Sequence, residues 1–200
     1  EGRRESWEET VNRYCDYMRW VLAVISADLK PKPYIHFPKE VKQAILDMEV
    51  MPSMRAFMTA DPDPGTGALT RDHMAGYNCA YLAVDHIRAF DESIYVLLCG
   101  TGVGFSVERQ FISRLPEVAE EFHQSDTTIV VSDSKIGWAK ALRELVSLLY
   151  QGMIPKVDYS RIRKAGARLK IFGGRASDPD PLERLFGHYI HTFQNAKGRK

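Results

Sequence analysis

The sequence predicts an α/β fold in which N-terminal helices lead into a mainly parallel, buried sheet. Three observations carry this expectation. The first fifty residues show apolar spacing of the helical kind. From Asn78 onward, short strand-like runs alternate with longer helical stretches, which is the signature of β-α-β units. The chain's 200 residues, 44% of them hydrophobic, are enough to bury a real core.

Glu5 to about Asp28 reads as a helix, because Trp7, Val11, Tyr14, Tyr17 and Met18 recur at helical spacing. Pro31 and Pro33 end it. Pro38 suits a first helical turn, and Val41, Ala44, Ile45 and Met48 form the apolar stripe of a second helix. Asp61 to Gly67 is a turn-rich loop.

Asn78 to Val84 reads as a strand and Ala89 to Cys99 as a helix. Gly100 to Gly104 (GTGVG) is expected as a flexible turn, with a short strand at Phe105 to Val107. Thr127 to Val131 is a β-branched strand. Asp133 or Ser134 caps the following helix, whose Trp138, Leu142, Leu145, Val146 and Leu149 face the core and which Gly152 closes. Lys156 to Ser160 is a further strand, Arg161 to Asp180 a long basic loop, and Pro181 opens a last helix to about Asn195. That last unit finds no closing strand, so the sheet is expected to continue in residues outside this chain.

Charge nearly cancels, with 27 basic against 26 acidic residues, so no global field for nucleic acid is expected. The apolar runs, such as Val21 to Ile25, are too short to span a bilayer. Cys15, Cys79 and Cys99 give no disulfide framework and no metal-ligand spacing, which suits a reducing cytoplasm. The six histidines, His36 and His188 among them, share no spacing and read as surface or interface residues.

Candidate chemistry is concentrated in four places. GTGVG is not a dinucleotide fingerprint, because a helix precedes it and a strand follows it. It is a tight turn, or one whose bare backbone admits a ligand. By residue type alone Cys79 is a small buried hydrophobe, and Asn78 beside it offers an amide able to orient a polar ligand. The segment from Arg161 to Arg175 carries Arg161, Arg163, Lys164, Arg168, Lys170 and Arg175 with no acid, so it is either a solvated basic loop or a phosphate site. Asp85 and Asp133 follow predicted strands, where a short polar residue either faces a ligand crevice or merely shapes a turn.

Taken together, the stretches GRRESWEETVNRY, MPSMRAF, AGYNCAYLAVDHIRAFDE, CGTGVGFSVERQFISRLPE, VVSDSKIGWAKAL and DYSRIRKAGARLKIFGGRAS resemble the class II, adenosylcobalamin-dependent ribonucleotide reductases of the monomeric triphosphate type. They run in family order over nearly the whole chain. The resemblance implies a ten-stranded α/β barrel, with residues 1–50 as an N-terminal helical region and 51–200 as about its first half.

It further implies that Cys79 is the N-terminal redox cysteine, which pairs with a cysteine elsewhere as the ribose 2′-hydroxyl leaves as water. Such a thiol must be accessible to exchange. Ser53, Asn78, Thr101 and Gly102 match positions lining the substrate nucleotide. Asp85, Asp133, Ser134 and Lys135 match the site for a deoxynucleoside triphosphate effector, and Arg163, Arg168 and Arg175 match the loop that conveys effector identity. No metal ligand is expected in the chain.

The implied partners are a ribonucleoside triphosphate, the effector, a thioredoxin-type reductant and the C-terminal half of the reductase, with adenosylcobalamin held mostly outside this chain. The family's NxCxE loop, whose cysteine would carry the thiyl radical, and its C-terminal cysteines are absent from the sequence. The chain alone is therefore expected to be inactive. Half of a split reductase, or an effector-binding module without activity, are the alternatives. The family pattern ASGP appears here as Ala176, Ser177, Asp178 and Pro179, an acid in place of glycine.

Overall fold

The structure is a computed structural model that describes residues 4–27, 37–63, 67–167, 169 and 175–199. Pro31, Pro33, His36 and part of the Asp61–Gly67 loop lie outside the described residues. The chain divides into two compact units, one reaching to Asn78 and the other starting at Cys79.

In the first unit, α1 (Trp7–Ala27), α2 (Lys39–Leu46) and α3 (Met54–Thr59) gather around a core of Val11, Cys15, Phe37, Ile45 and Phe57. Trp7 and Tyr14 pack on Phe57, and the Trp7 indole N–H donates to the Leu46 carbonyl at 3.1 Å. Arg13 ties α1 to the end of α3 by donating to the Phe57 and Ala60 carbonyls, while its other face holds Glu5 at 2.8 Å. The Glu5 carboxyl is held below its ordinary value chiefly by that Arg13 hydrogen bond. A short α4 (Ala68–Arg71) and a 3-10 turn (His73–Gly76) lead to the second unit.

Met48 is not part of the α2 stripe. It has φ 60° and is exposed, because α2 ends two residues earlier in a Schellman cap. Met48 N–H donates to Ile45 and Glu49 N–H to Ala44, so methionine holds the left-handed position that glycine usually takes.

The second unit is built from β1 (Cys79–Ala83), α5 (Arg88–Leu98), β2 (Gly102–Ser106), a short α6 (Arg109–Ile112), β3 (His123–Val130), α7 (Lys135–Tyr150), β4 (Met153–Asp158) and α8 (Asp180–Asn195). Both strand pairings are parallel, as the alternation of elements predicts. They are, however, two separate pairs, β1–β2 and β3–β4, and not one continuous sheet among the described residues. Nor are the strands buried as expected: most positions of β1, β2 and β3 are exposed or half-buried. Among the described residues α5 packs on β1–β2 and α7 on β3–β4. The core lies between α7, α8 and the second pair, around Ile129, Leu142, Leu145, Leu149, Leu182 and Phe186. Among the described residues no helix is long and apolar enough to cross a membrane.

Two strands begin earlier than their side chains suggest. β3 starts at His123 and β4 at Met153. Their ladder is interrupted: Gln124 faces Ile154 and Thr128 faces Lys156, so Pro155 sits at the irregularity, where its missing N–H leaves no gap in the ladder.

Candidate functional site

The GTGVG stretch divides differently from its expectation as one flexible turn. Gly100 has φ 83° and closes α5 as a Schellman cap, its N–H donating to Leu97 and that of Thr101 to Val96. Gly102, Val103 and Gly104 are already strand, so β2 starts three residues before the predicted Phe105. Glycine runs carry no periodic pattern, and here the backbone pairing with β1 decides.

That pairing places Cys79 directly across from Gly102, and Tyr81 across from Gly104. Cys79, Tyr81, Gly102 and Gly104 share one face, and all four are exposed. A Cβ at Gly104 would meet only the Ala80 carbonyl, at 3.8 Å, so the face is open there. Cys79 is thus an accessible thiol and not the small buried hydrophobe that its residue type suggests; Cys15 and Cys99 are the buried ones. Thr101, which immediately precedes Gly102, is buried at the turn into β2. In the first unit, the Asn78 amide oxygen accepts from Arg55 Nε at 3.1 Å, and Ser53 stands at the N-terminus of α3.

The second cluster forms where β3 gives way to α7. Ser134, not Asp133, caps α7, accepting from Gly137 N–H at 2.9 Å. A side chain at Gly137 would run into the Ser132 carbonyl, which accounts for the glycine in DSKxGW. Freed from capping, Asp133 accepts from Arg163 Nε at 2.7 Å across thirty positions of sequence. Lys135 begins α7 and donates to Cys99 Sγ at 3.5 Å. Nearby in sequence, at the end of β4, the Ser160 backbone N–H holds the Asp158 carboxyl below its ordinary value.

The structure therefore joins Asp133 to Arg163, with Ser134 and Lys135 next to Asp133 in sequence. Asp85 is placed elsewhere: it follows β1 at the end remote from Cys79 and pairs with Arg114 at 3.0 Å. Arg175 donates to the Gly166 carbonyl at 3.0 Å, closing a small loop in which Gly166 and Ala176, then Ala176 and Ala167, are bonded through their backbones. Arg168, Lys170, Gly173 and Gly174 lie outside the described residues. Arg114, Arg143 and Cys99 had no signal in the sequence, because their partners are 29, 52 and 36 residues away.

The ASDP departure has a physical account. Asp178 has φ 73°, the conformation glycine adopts freely, and its carboxylate accepts from Asp180 N–H at 3.0 Å at the start of α8. Asp178→Ala is expected to lose about 1–2 kcal/mol, from strain plus the lost hydrogen bond. Asp178→Gly should stay within about 0.5 kcal/mol of the parent, because relief of strain offsets the lost bond. Denaturant midpoints of the two variants check this, and equal losses would refute the strain argument.

In fold, the chain matches a crystal structure of a B12-dependent (class II) ribonucleotide reductase with a TM-score of 0.78, at 22% identity, over 99% of this chain and 35% of that one. In sequence, it is similar to a putative adenosylcobalamin-dependent ribonucleoside-triphosphate reductase of Mycobacterium phage D29, at 26% identity over 92% of this chain. It is also similar to the adenosylcobalamin-dependent ribonucleoside-triphosphate reductases of Euglena gracilis, 24% identical over 99% of the chain, and Lactobacillus leichmannii, 25% identical over 98%. No protein-family model matches. The resemblance carried by the motifs thus extends across the chain in both sequence and fold. The chain spans 29%, 28% and 34% of the lengths of these three relatives.

Proposed function

We propose that the chain is part of an adenosylcobalamin-dependent ribonucleoside-triphosphate reductase of the cytoplasm. Residues 1–50 supply its N-terminal helical region, and residues 51–200 supply about the first half of its ten-stranded barrel. The observation that carries this reading is the accessible Cys79 thiol on a parallel strand pair, directly across from Gly102 and the capped turn before it.

Cys79 contributes one of two thiols. Their joint oxidation to a disulfide delivers two electrons and two protons. The ribose carbon exchanges its hydroxyl for hydrogen, and the oxygen leaves as water. Ser53, Asn78, Thr101 and Gly102 are assigned to the ribonucleoside triphosphate on resemblance. Bound adenosylcobalamin supplies the radical chemistry, and its contacts are assigned mostly outside this chain. A thioredoxin-type reductant restores the dithiol.

The cluster of Asp133, Ser134, Lys135 and Arg163 suits a deoxynucleoside triphosphate. The capped start of α7 and two cations favour phosphate, and a carboxylate already orients one of them. Arg168 and Arg175 are assigned to the same effector region on resemblance, whereas Asp85, paired with Arg114, is not grouped with the cluster.

The test is multiple-turnover nucleotide reduction with adenosylcobalamin and a dithiol. The chain is assayed alone and mixed with a polypeptide supplying the downstream half of the reductase. Activity only in the mixture is expected. Turnover by the chain alone would refute the assignment of the radical cysteine to the other part. Inactivity in both, with the partner folded and bound, would leave an effector-binding module.

A further inference from the structure

Gly104 lies in the interior of β2, and its φ is not positive. A Cβ there would meet only the Ala80 carbonyl, at the ordinary contact distance of 3.8 Å. Neither backbone conformation nor the described neighbours therefore demand a glycine. Glycine inside a strand weakens it, and often marks a place where a ligand or another backbone comes close. The partner of Gly104 across the ladder is the exposed Tyr81.

Two residues back along β1 stands Cys79, on the same face and about 7 Å away along the strand. That face consists of Cys79, Tyr81 and Ala83 on β1 and Gly102, Gly104 and Ser106 on β2, and none of them is charged. A triphosphate seeks cations. An uncharged face with bare backbone and one aromatic ring suits the other end of a nucleotide, the flat heterocycle, which stacks on aromatic side chains. The separation of Tyr81 from Cys79 is on the scale of the distance from a ribose to the middle of the base it carries.

We propose that Tyr81 and Gly104 position the substrate: its base lies over Gly104 with one face against the Tyr81 ring, which sets the ribose at Cys79. This rests on the reading of Cys79 as a thiol that reduces the ribose. The contact serves all four bases, because each has a π-face. It needs the aromatic ring of Tyr81 and not the hydroxyl. It also needs the space that the missing side chain of Gly104 leaves above the strand.

The experiment uses the full-length protein. Dissociation constants are measured for ATP, GTP, CTP and UTP, and for ribose 5′-triphosphate, which has no base. The proteins are the parent, Tyr81→Leu, Tyr81→Phe and Gly104→Ala. Tyr81→Leu is expected to weaken the four nucleotides about tenfold and ribose 5′-triphosphate by no more than about twofold. Tyr81→Phe should keep most of the affinity that Tyr81→Leu loses. Gly104→Ala should weaken the nucleotides about tenfold, because a methyl group fills space the base needs. Its denaturant midpoint should not fall, since alanine suits a strand better than glycine and meets only an ordinary contact.

Parental nucleotide affinity in Tyr81→Leu overturns the proposal. So does an equal loss for ribose 5′-triphosphate, because the base would then not be the group in contact. A loss in Tyr81→Phe as large as in Tyr81→Leu overturns the stacking. A lower midpoint in Gly104→Ala overturns the role of Gly104, which would then make room for another part of the chain. Turnover of Cys79→Ser separates the two readings. If that variant is inactive, any of these outcomes overturns the present proposal alone. If it turns over like the parent, the reading of Cys79 falls and takes this proposal with it.

Discussion

Cys79→Ser in the full-length protein should reduce multiple turnover to background while the fold stays intact. The two halves of this expectation come from different observations. Cys79 is exposed, and its strand is held by backbone pairing to β2, so an oxygen in place of sulfur removes no packing. Stability should change by no more than about 0.5 kcal/mol. Serine cannot form a disulfide, so the two-electron step loses one of its donors. Steady-state turnover is the measurement, with substrate binding as the control. Unchanged turnover would sink the assigned role, and lost binding would instead point to a structural one. An exposed thiol is accessible to thiol–disulfide exchange, as a buried one is not. Its placement on an open strand face is therefore more intelligible as a working thiol than as a buried filler.

Much of this arrangement is legible from local pattern. The α5 and α7 stripes, the Ser134 cap, the Gly152 stop and the parallel sense of the strands all follow from side chains within a few residues of one another. What escapes is what depends on distant partners. Nothing in GTGVG shows that its second and third glycines pair with Cys79 and Tyr81. His123 to Asp126 look like a polar loop, and become strand only because β4 lies alongside. The strand pairs could not be recognised as separate from alternation alone, since alternation fixes direction and not neighbours. In the candidate site, the motif residues at Asp133 and Arg163 were visible singly, but their ion pair was not. From sequence alone the aspartate in ASDP is only an acid in place of the family's glycine, and it reads as a tolerated left-handed residue once its φ is known.

The same blindness hides the contact with the largest expected effect on stability. Asp91 on α5 is only 2% exposed, and both the Nε and one terminal nitrogen of Arg143 donate to its Oδ2. Its Oδ1 is buried with no hydrogen-bond partner among the described residues. Asp91 therefore depends heavily on one guanidinium. Hydrogen bonding to Asp91 in turn pushes Arg143 above its ordinary pKa. Arg143→Met should cost about 3 kcal/mol, because it strands a buried carboxylate. The figure sits at the low end for a broken buried pair, since the Arg143 side chain is 45% exposed and part of its charge is screened by water. Adding Asp91→Leu to Arg143→Met should recover most of that loss, because the penalty is an uncompensated charge and not missing packing. A double-mutant cycle from denaturant midpoints reads this directly. If Arg143→Met alone stays within about 0.5 kcal/mol of the parent, the carboxylate is solvated in some other way and the pair does not hold α5 to α7.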